Sequence, residues 1–560
     1  MTSSLIRGRP RRGASHISVR VVHALVGGLI GVAWLVLPAV TIGGEGRVAG
    51  GAARPVAGGV AQGEVGETSA ADLVMPMLAV VAVVVLAGYG FLRRRRRARG
   101  RTTPGGAPVQ GAEPGAGELE ERARTLLVDA DDWVRVSREE LGFVQGRVGG
   151  VVGAGRPDAA LGAGDVEPFT RVLRDAEAEL AVAFRMRWQY EGGVPGEAAA
   201  RRHVLAGIVG RGEEAGRLLD GQAAAFDQVR GLEAGLGGGL GEALAVAEGR
   251  FRELAGRTGG ADAALRALGE RYAPSAITSV EGHVEQAKDR LVFATARLNH
   301  ARQSADLGDT ERAAGHLRAA EGAIAQAAVF IDGIDRLTGE LATAAAMVPA
   351  ALTGAEVELA GARQSPTRAG DSYLDIPPGE LRARVTHADL VLAVVREELT
   401  SGPHDPLDLL RRIVRGVQPV VAGRAGVFPA AALVCARSAV AGADDVVATH
   451  RAAVGEEART QLAEARRLLA PPPTAPSGRS ARQELTDLLT ADTLAQQSHA
   501  LADQNIRTHG HPIDGPGTNT IGLAGAVLGG VLLAGKQHDA PPASFGGPRT
   551  RGRRGGTPSP

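Results

Sequence analysis

Two runs of apolar residues at heptad spacing, between positions 280 and 334, constrain this chain more than any other feature of its sequence. Their steps alternate between three and four positions, which places the side chains along one side of an α-helix. Between the runs, Gly308 can end one helix and Asp309 can cap the next. Before them, Thr278 and Glu281 have capping-box spacing, which predicts the start of the first helix. The runs are Val280, Val284, Ala287, Leu291, Ala294, Leu298 and Ala301, then Leu317, Ala320, Ile324, Ala327, Ile331 and Ile334. They predict an antiparallel helical hairpin.

The same period continues along the region between residues 117 and 507. Aromatic residues make up only 3% of the 560 residues, so the apolar total of 44% comes from small and aliphatic side chains. Such a composition favours long helices in lateral contact over a core built on aromatic side chains. Two short helices are expected where a glycine and an acid precede an amphipathic run, in "SGPHDPLDLLRRIV" and "AAVGEEARTQLAEARRLLA". Further helices are predicted at 117–148, 167–192, 197–229, 240–257, 378–399 and 481–507.

Residues 73–92, "LVMPMLAVVAVVVLAGYGFL", are predicted to cross a membrane. They are 20 residues without a charge, and a helix of that length covers about 30 Å, the thickness of a bilayer hydrocarbon core. An arginine cluster follows directly, and the positive-inside rule places such a cluster in the cytoplasm. These arginines are also expected to contact anionic lipid headgroups. The cluster consists of Arg93, Arg94, Arg95, Arg96, Arg97, Arg99 and Arg101.

A second uncharged segment, residues 21–42, follows five arginines within residues 1–20. Two interpretations stay open: an uncleaved first span, which its length favours, and a cleaved signal sequence. Both leave residues 43–72 as a short external Gly-rich loop. Both also place everything after Arg93 in the cytoplasm. The predicted location is therefore the cell membrane, multi-pass, or single-pass if the first segment is removed.

The charge distribution separates the remaining parts of the chain. Sixteen of its 63 basic residues lie in three short clusters, which leaves 47 basic residues against 62 acidic ones elsewhere. An acidic bulk disfavours a nucleic-acid-binding domain. The predicted organisation after the span is an arginine cluster and linker at 93–116, a helical domain at 117–507 and a Gly/Pro/Arg-rich tail at 508–560. The fold class is all-α: two N-terminal membrane segments, then a long cytoplasmic array of amphipathic, coiled-coil-like helices.

No motif in the sequence predicts a catalytic, cofactor or metal site. Residues 530–537, "GVLLAGKQ", lack the Ser or Thr and the strand–loop–helix context of a phosphate-binding loop. His509 and His511 have no defined third metal ligand. The adjacent pairs Asp131-Asp132 and Asp444-Asp445 point to different helix sides and are expected on solvated faces. The single cysteine, Cys435, lies in an apolar run and is expected to be a small buried side chain. Whether residues 521–535 touch a membrane stays open.

Several phrases resemble the actinobacterial TPM-domain membrane proteins. They are "ERYAPSAITSVEGHVEQAKDRLVFATARLNHARQ", "AAGHLRAAEGAIAQA", "THRAAVGEEARTQLAEARRLL" and the terminal "ASFGGPRTRGRRGG", and the likeness covers residues 117–556. The resemblance implies a signal peptide, an external TPM domain, one span and a long helical region. It also implies phosphatase activity, proposed for that external domain. Here only residues 43–72 occupy its place, too short and Gly-rich to fold alone. The chain looks like a member without the TPM domain.

These observations together predict a non-enzymatic, membrane-anchored helical scaffold that binds a cytoplasmic protein partner, with membrane lipids as further contacts. A phosphatase, by family resemblance, is the alternative, and it is disfavoured because the TPM domain is missing. Self-association through the helices is a further expectation. Nucleic-acid binding would rest only on the four arginines of residues 549–554, and a solvated tail is the favoured interpretation of that segment.

Overall fold

The computed structural model describes residues 115–147, 162–232, 239–364, 376–421, 426–470, 481–509 and 544–555. Within these ranges the chain is helical and contains no β-strand. The all-α prediction is confirmed for this part of the chain. The two predicted membrane segments, the arginine cluster and the linker lie outside the described residues.

Thirteen α-helices are described within these ranges. They are α1 (Ala116–Gln145), α2 (Ala163–Glu191), α3 (Ala198–Arg230), α4 (Gly239–Arg271), α5 (Pro274–Ile277), α6 (His283–Asp306), α7 (Thr310–Gln364), α8 (Pro378–Ser401), α9 (Pro406–Val417), α10 (Val427–Thr449), α11 (Glu456–Leu469), α12 (Ala481–His509) and α13 (Pro548–Gly555). Two single 3₁₀ turns, Thr278–Val280 and Gln418–Val420, follow α5 and α9.

The predicted hairpin is present as α6 and α7, and every residue of both apolar runs is buried. The turn has the predicted chemistry. Gly308 adopts a left-handed φ of 77°, and the Asp309 N–H donates to the Ser304 carbonyl at 2.9 Å, as in a Schellman motif. The Asp309 carboxylate then accepts from the Arg312 N–H at 3.0 Å and caps α7. Local sequence and long apolar seams therefore specify the same structure here.

The predicted capping box at Thr278 and Glu281 is wrong. Pro274 starts the short helix α5, and the Thr278 hydroxyl donates back to the Pro274 carbonyl at 3.0 Å instead of capping a new helix. The helix α6 begins later, at His283, because Gly282 has a left-handed φ of 77° that interrupts the helical path before it.

Two helices run further than the sequence predicts, and one was missed. The helix α4 continues through Gly259 and Gly260 to Arg271, because Leu254, Ala261 and Leu268 are buried on one side of it and hold the helix across the glycines. The helix α7 extends for 55 residues, well beyond the end of its apolar run. The helix α10 has an apolar composition without a clear period, so its sequence did not distinguish it from a buried strand or loop.

The helices bury three apolar clusters. The largest joins α4, α6, α7, α8 and α9 with the beginnings of α10 and α12. A second joins α1, α2 and α3, and a third joins the end of α10 with α11 and α12. Helices distant in sequence pack together, since α11 contacts both α1 and α2. The region between residues 117 and 507 is therefore a body whose late helices return to its first ones.

Among the described residues, α10 alone is long and apolar enough to cross a membrane by length and composition. Its position in the structure is that of a core helix. Phe428, Ala431 and Cys435 are buried in the largest cluster, and the helix packs against α7 and α12. Its Asp444 and Asp445 form ion pairs with arginines of other helices. We therefore treat α10 as part of the folded body.

Candidate functional site

The C-terminal residues 544–555 dock on α1, α2 and α3. The anchor is Phe545, whose side chain is completely buried. Its ring stacks on Phe226 of α3 with centroids 4.3 Å apart, and it meets Phe169 of α2 edge-on at 6.0 Å. Three aromatic rings in contact are a rare feature in a chain with so few of them. This part of the predicted solvated tail is bound to the helical body, so the solvated-tail interpretation is wrong for it.

Asp220 of α3 binds the backbone of the docked segment. Its carboxylate accepts hydrogen bonds from the N–H groups of Gly547, Arg549 and Thr550, at 2.9, 3.1 and 3.0 Å. It also accepts from the Thr550 hydroxyl at 2.7 Å. The first N–H groups of a helix have no partner within that helix. Asp220 therefore caps α13, although it lies more than 300 positions before that helix in the chain.

Two polar residues of α1 accept the preceding backbone N–H groups. The Gly546 N–H donates to the Ser137 hydroxyl at 3.2 Å, and the Phe545 N–H donates to the Glu140 carboxylate. Both acceptors are buried. A buried polar atom without a partner costs free energy. The docked segment supplies a donor to each of these acceptors, and Glu140 has arginine partners as well. The segment is thus held by its backbone on α1 and α3, and by one ring between α2 and α3.

Glycines on both surfaces allow the close approach. A Cβ on Gly547 would fall against the backbone carbonyl of Gly216 on α3. A Cβ on Gly216 would lie 2.7 Å from Pro548 Cδ and from the Trp133 ring. Gly546 has a φ of 136°, a conformation that other residues rarely adopt. The Gly-Gly pair is therefore a steric requirement of the contact.

Under the docked segment lies a buried group of charges. Glu140, besides its bond to Phe545, pairs with Arg230 at 3.5 Å and with Arg318 at 3.2 Å. Arg230 in turn pairs with Glu321 of α7 at 2.7 Å. Burial raises the pKa of Glu321, and the Arg230 guanidinium partly offsets that effect. These pairs connect the floor of the groove with α7.

A second buried network connects α1 with α11, and its centre is Arg459. The Arg459 guanidinium is 1% exposed and donates to Asp131 at 2.8 Å and to Asp132 at 2.7 Å. It also donates to backbone carbonyls, which include Val128 on α1 and Val454 just before α11. One arginine thereby satisfies groups from two helices that lie more than 300 residues apart in sequence.

Arg135 links the same network to α10. It donates to Asp131 at 2.9 Å and to Asp444 at 2.8 Å. Burial alone would raise the pKa of the Asp131 carboxyl, but Arg135 and Arg459 hold it well below its usual range. The expectation that the two aspartate pairs lie on solvated faces is wrong for Asp131. It fails because Asp131 is held inside the body by Arg459 of α11 as well as by Arg135 on its own helix, and only the second of these partners is visible in the local sequence.

The remaining aspartates of the two pairs are also ion-paired. Asp445 pairs with Arg336 of α7, and Asp444 also pairs with Arg466 of α11. Burial raises the pKa of Asp132, although Arg459 opposes the effect. Every carboxylate of these two pairs is thus bound by an arginine, and these ion pairs connect helices of the folded body.

Beside the docked segment an open acidic cleft of about 450 Å³ lies between α1 and α3. Arg122 and Glu213 pair across it at 2.7 Å, and both side chains are more than half exposed. Burial and the neighbouring Asp132 raise the pKa of Asp129 at one edge. The cleft is lined by Glu118, Glu121, Arg122, Thr125, Leu126, Asp129 and Glu213. Such a surface can accept basic or polar groups of another chain.

The other residues singled out from the sequence lie away from the groove and the two charge networks or outside the described residues. Cys435 is confirmed as a buried side chain without a disulfide, and burial raises the pKa of its thiol to about 12. His511 and residues 530–537 lie outside the described residues, as do Arg93 to Arg101. Within the described ranges, no three His, Cys, Asp or Glu side chains form a group that could hold a metal ion.

Sequence reasoning missed the docked segment and its groove. One signal was present: Phe545 is the only aromatic residue between positions 510 and 560. A large apolar side chain alone among glycines, prolines and arginines is typical of an anchor for a surface pocket. The acceptors on α1 and α3 carried no such sign, because a serine, a glutamate and an aspartate on helices look solvated.

Two curated proteins are similar to this chain. They are the UPF0603 protein MT2410 of Mycobacterium tuberculosis strain CDC 1551 / Oshkosh and the UPF0603 protein Rv2345 of strain ATCC 25618 / H37Rv. Each is 28% identical over 427 residues, which is 74% of this chain and 61% of the relative. The chain thus spans less than two thirds of the relatives' length. Neither name states an activity or a partner.

No family model matches the chain, and no solved structure matches it. The similarity that the comparisons show is therefore to the two UPF0603 proteins. The finer resemblance to TPM-domain membrane proteins stays a prediction.

Proposed function

We propose that this chain is a membrane-anchored, non-enzymatic helical protein whose folded domain binds protein partners in the cytoplasm. The observation that carries the proposal is the docked C-terminal segment. The helices α1, α2 and α3 form a groove that holds a short non-helical stretch and the start of the helix α13, by one aromatic anchor and by backbone N–H groups. Capture of a short segment by an apolar pocket and by main-chain hydrogen bonds is a common mode of partner recognition.

The charges of the interior support a binding role. The buried carboxylates described above are bound by arginines on other helices, so their oxygens serve to hold the body together. The exposed charges of the acidic cleft lie on the same helices as the groove. A folded body with a peptide groove beside an acidic cleft is suited to hold a partner that carries a basic segment.

Site-specific photo-crosslinking in cells tests the partner. We expect full-length protein with a photoreactive residue at Thr125, an exposed position in the cleft, to crosslink a reproducible cytoplasmic protein. A photoreactive residue at Lys288, exposed on α6, should not crosslink that protein. Phosphatase activity of the purified protein that a single carboxylate substitution abolishes would contradict the proposal. So would the absence of any crosslink specific to Thr125.

Reporter fusions test the anchor. A reporter after Thr102 should report the cytoplasm, and one near Gly58 should report the exterior, because the arginines of residues 93–101 resist translocation. Glutamate at Arg93 to Arg97 and Arg99 should weaken that orientation. An exterior signal at Thr102 in the unaltered protein would contradict the topology.

A further inference from the structure

We propose that the groove on α1, α2 and α3 is a recognition site for peptides of the form Phe-Gly-Gly-Pro-X-Thr, where X is any residue. We also propose that the chain's own C-terminal segment is an exchangeable occupant that a partner with this motif displaces. This inference deepens the proposed function and rests on it, because it names the ligand class and a means of regulation.

The aromatic position is defined by a pocket whose walls belong to other helices. Phe169 and Phe226, which contact Phe545, also contact each other edge-to-face at 5.2 Å. Both are buried with the core of α1, α2 and α3. An apolar pocket that takes one aromatic side chain is the usual anchor of peptide recognition.

The two glycines and the proline are set by steric contact. Gly547 has no room for a Cβ above Gly216, and Gly546 has a backbone conformation suited to glycine. Pro548 lies at the first position of α13, where the missing N–H is not needed. The groove therefore selects Gly-Gly-Pro by shape, independently of charge.

Asp220 recognises the threonine and the backbone N–H groups of the motif. The Thr550 hydroxyl and three N–H groups converge on its carboxylate. Arg549 contributes only its N–H there, and its side chain is exposed. The position between proline and threonine is thus free to vary, which explains the X in the motif.

The occupant is separable from the groove. Every acceptor and ring of the groove belongs to α1, α2 or α3, and Glu140 is also held by Arg230 and Arg318. The segment is joined to α12 through residues 510–543, a stretch of 34 positions. A stretch of that length spans up to about 110 Å when extended, so chain length alone does not confine the segment to one groove.

An exchange experiment on the full-length chain tests the inference. A protease site is introduced between residues 515 and 535, and the detergent-purified protein is cleaved. We expect the cleaved segment to co-purify with the body at first. A fluorescent synthetic peptide of residues 541–556 should then replace it in a saturable manner, measured by fluorescence anisotropy.

Peptide variants identify the contacts. Phe545→Ala and Gly547→Ala should each weaken binding by about 30-fold or more, the effect of losing an interface anchor. Arg549→Ala is the matched control, because its backbone donor remains, and it should bind within about 3-fold of the original peptide. In the protein, Asp220→Asn should weaken binding while helical content by circular dichroism stays unchanged.

A second variant keeps the test decisive if cleavage disturbs the protein. Full-length Gly547→Ala should have a vacant groove and bind the labelled peptide without cleavage. No saturable binding to either protein would overturn the inference. Equal binding of the Phe545→Ala and original peptides would overturn it as well.

The crosslinking assay separates this inference from the proposed function. If excess peptide removes the partner crosslinked through Thr125, the exchange mechanism is supported. If the crosslink persists unchanged, the exchange mechanism is wrong and the partner-binding function stands. If the peptide binds but no partner is crosslinked, the recognition site stands and the proposed function is wrong.

Discussion

The hairpin of α6 and α7 and the junction of α1 with α11 hold helices together by different kinds of contact. In the hairpin, alanine, leucine and isoleucine at heptad positions bury one face of each helix, and the turn residues match the geometry of the turn. In the junction, a completely buried arginine binds two aspartates and several carbonyls. The first contact is apolar and local in sequence. The second is ionic and joins residues more than 300 positions apart.

The difference shows where each kind of contact gains its specificity. An apolar seam tolerates small changes, since its free energy is spread over many contacts of similar size. A buried ion network is concentrated in a few groups, and a partner left alone in the interior is strongly unfavourable. The junction should therefore respond to single substitutions more strongly than the hairpin does.

The largest effect is expected at Arg459. Replacing Arg459 with alanine leaves Asp131 and Asp132 without their shared partner, and breaking a buried pair costs about 3–5 kcal/mol. Arg122→Ala, which breaks an exposed pair with Glu213, should cost less than about 1 kcal/mol. Urea unfolding of residues 110–560 measures both. Equal small losses would show that the junction does not depend on its buried charge.

A substitution in the hairpin should lower the free energy of unfolding somewhat less than Arg459→Ala does. Leu291→Ala should destabilise the same fragment by about 2–5 kcal/mol, because it removes a buried leucine from the seam. Arg297→Ala is the control on the same helix, because its side chain is partly exposed over Phe293, and it should cost little. A larger effect at Arg297 than at Leu291 would mean that the seam is not the core of the hairpin.

A buried histidine at the start of α6 should make stability depend on pH. Burial lowers the pKa of His283 to about 4, from an ordinary value of 6.5. The unfolded chain therefore binds more protons between these values, and the stability from His283 is complete above pH 6.5 and lost as pH falls towards 4. A shift of this size corresponds to about 3 kcal/mol.

His283→Phe, which keeps a ring beside Phe330, should reduce the slope of unfolding free energy against pH between 4 and 6.5. His387→Gln, at an exposed position on α8, should leave that slope unchanged. The prediction fails if both variants show the slope of the unaltered protein.

The smallest effect concerns two glycines of the hairpin that differ only in backbone conformation. A Cβ would meet no atom within 4 Å at Gly308 or at Gly339. Gly308→Ala should cost about 1–2 kcal/mol, because its φ of 77° is unfavourable for alanine. Gly339→Ala, at an exposed position inside α7, should instead stabilise by about 0.5–1 kcal/mol. Shifts of the same sign in thermal unfolding would contradict this explanation.

The sequence predicted those parts of the molecule whose signals are local. The seams of α6 and α7, the turn at Gly308 and the cap at Asp309 each depend on residues within one or two helical turns. The glycine and acid signals also placed α9 and α11 correctly. The Asp405 carboxylate caps α9 by accepting from the Leu407 N–H at 3.0 Å, whereas α11 begins after Gly455 without a side-chain cap. Local chemistry of this kind is visible without a structure.

The candidate site could not be predicted in the same way. Its parts come from α1, α2, α3 and the last residues of the chain, and no period or spacing links Asp220 with Gly547. Asp131 looked solvated because Arg135, four positions away, suggests an ordinary surface pair, while Arg459, its second partner, is far away in sequence. Long-range ion pairs and peptide docking are properties of the assembled body.

Hydrogen exchange of the C-terminal segment tests the docked arrangement most directly. The amide hydrogens of Phe545, Gly546, Gly547 and Thr550 donate to Glu140, Ser137 and Asp220. In full-length protein, peptides that cover residues 544–552 should exchange at least about 100-fold more slowly than the free peptide, since exchange requires opening of the bound segment. Asp220→Asn should remove much of that protection. Exchange at the rate of the free peptide in the unaltered protein would contradict the docked segment and the groove built around it.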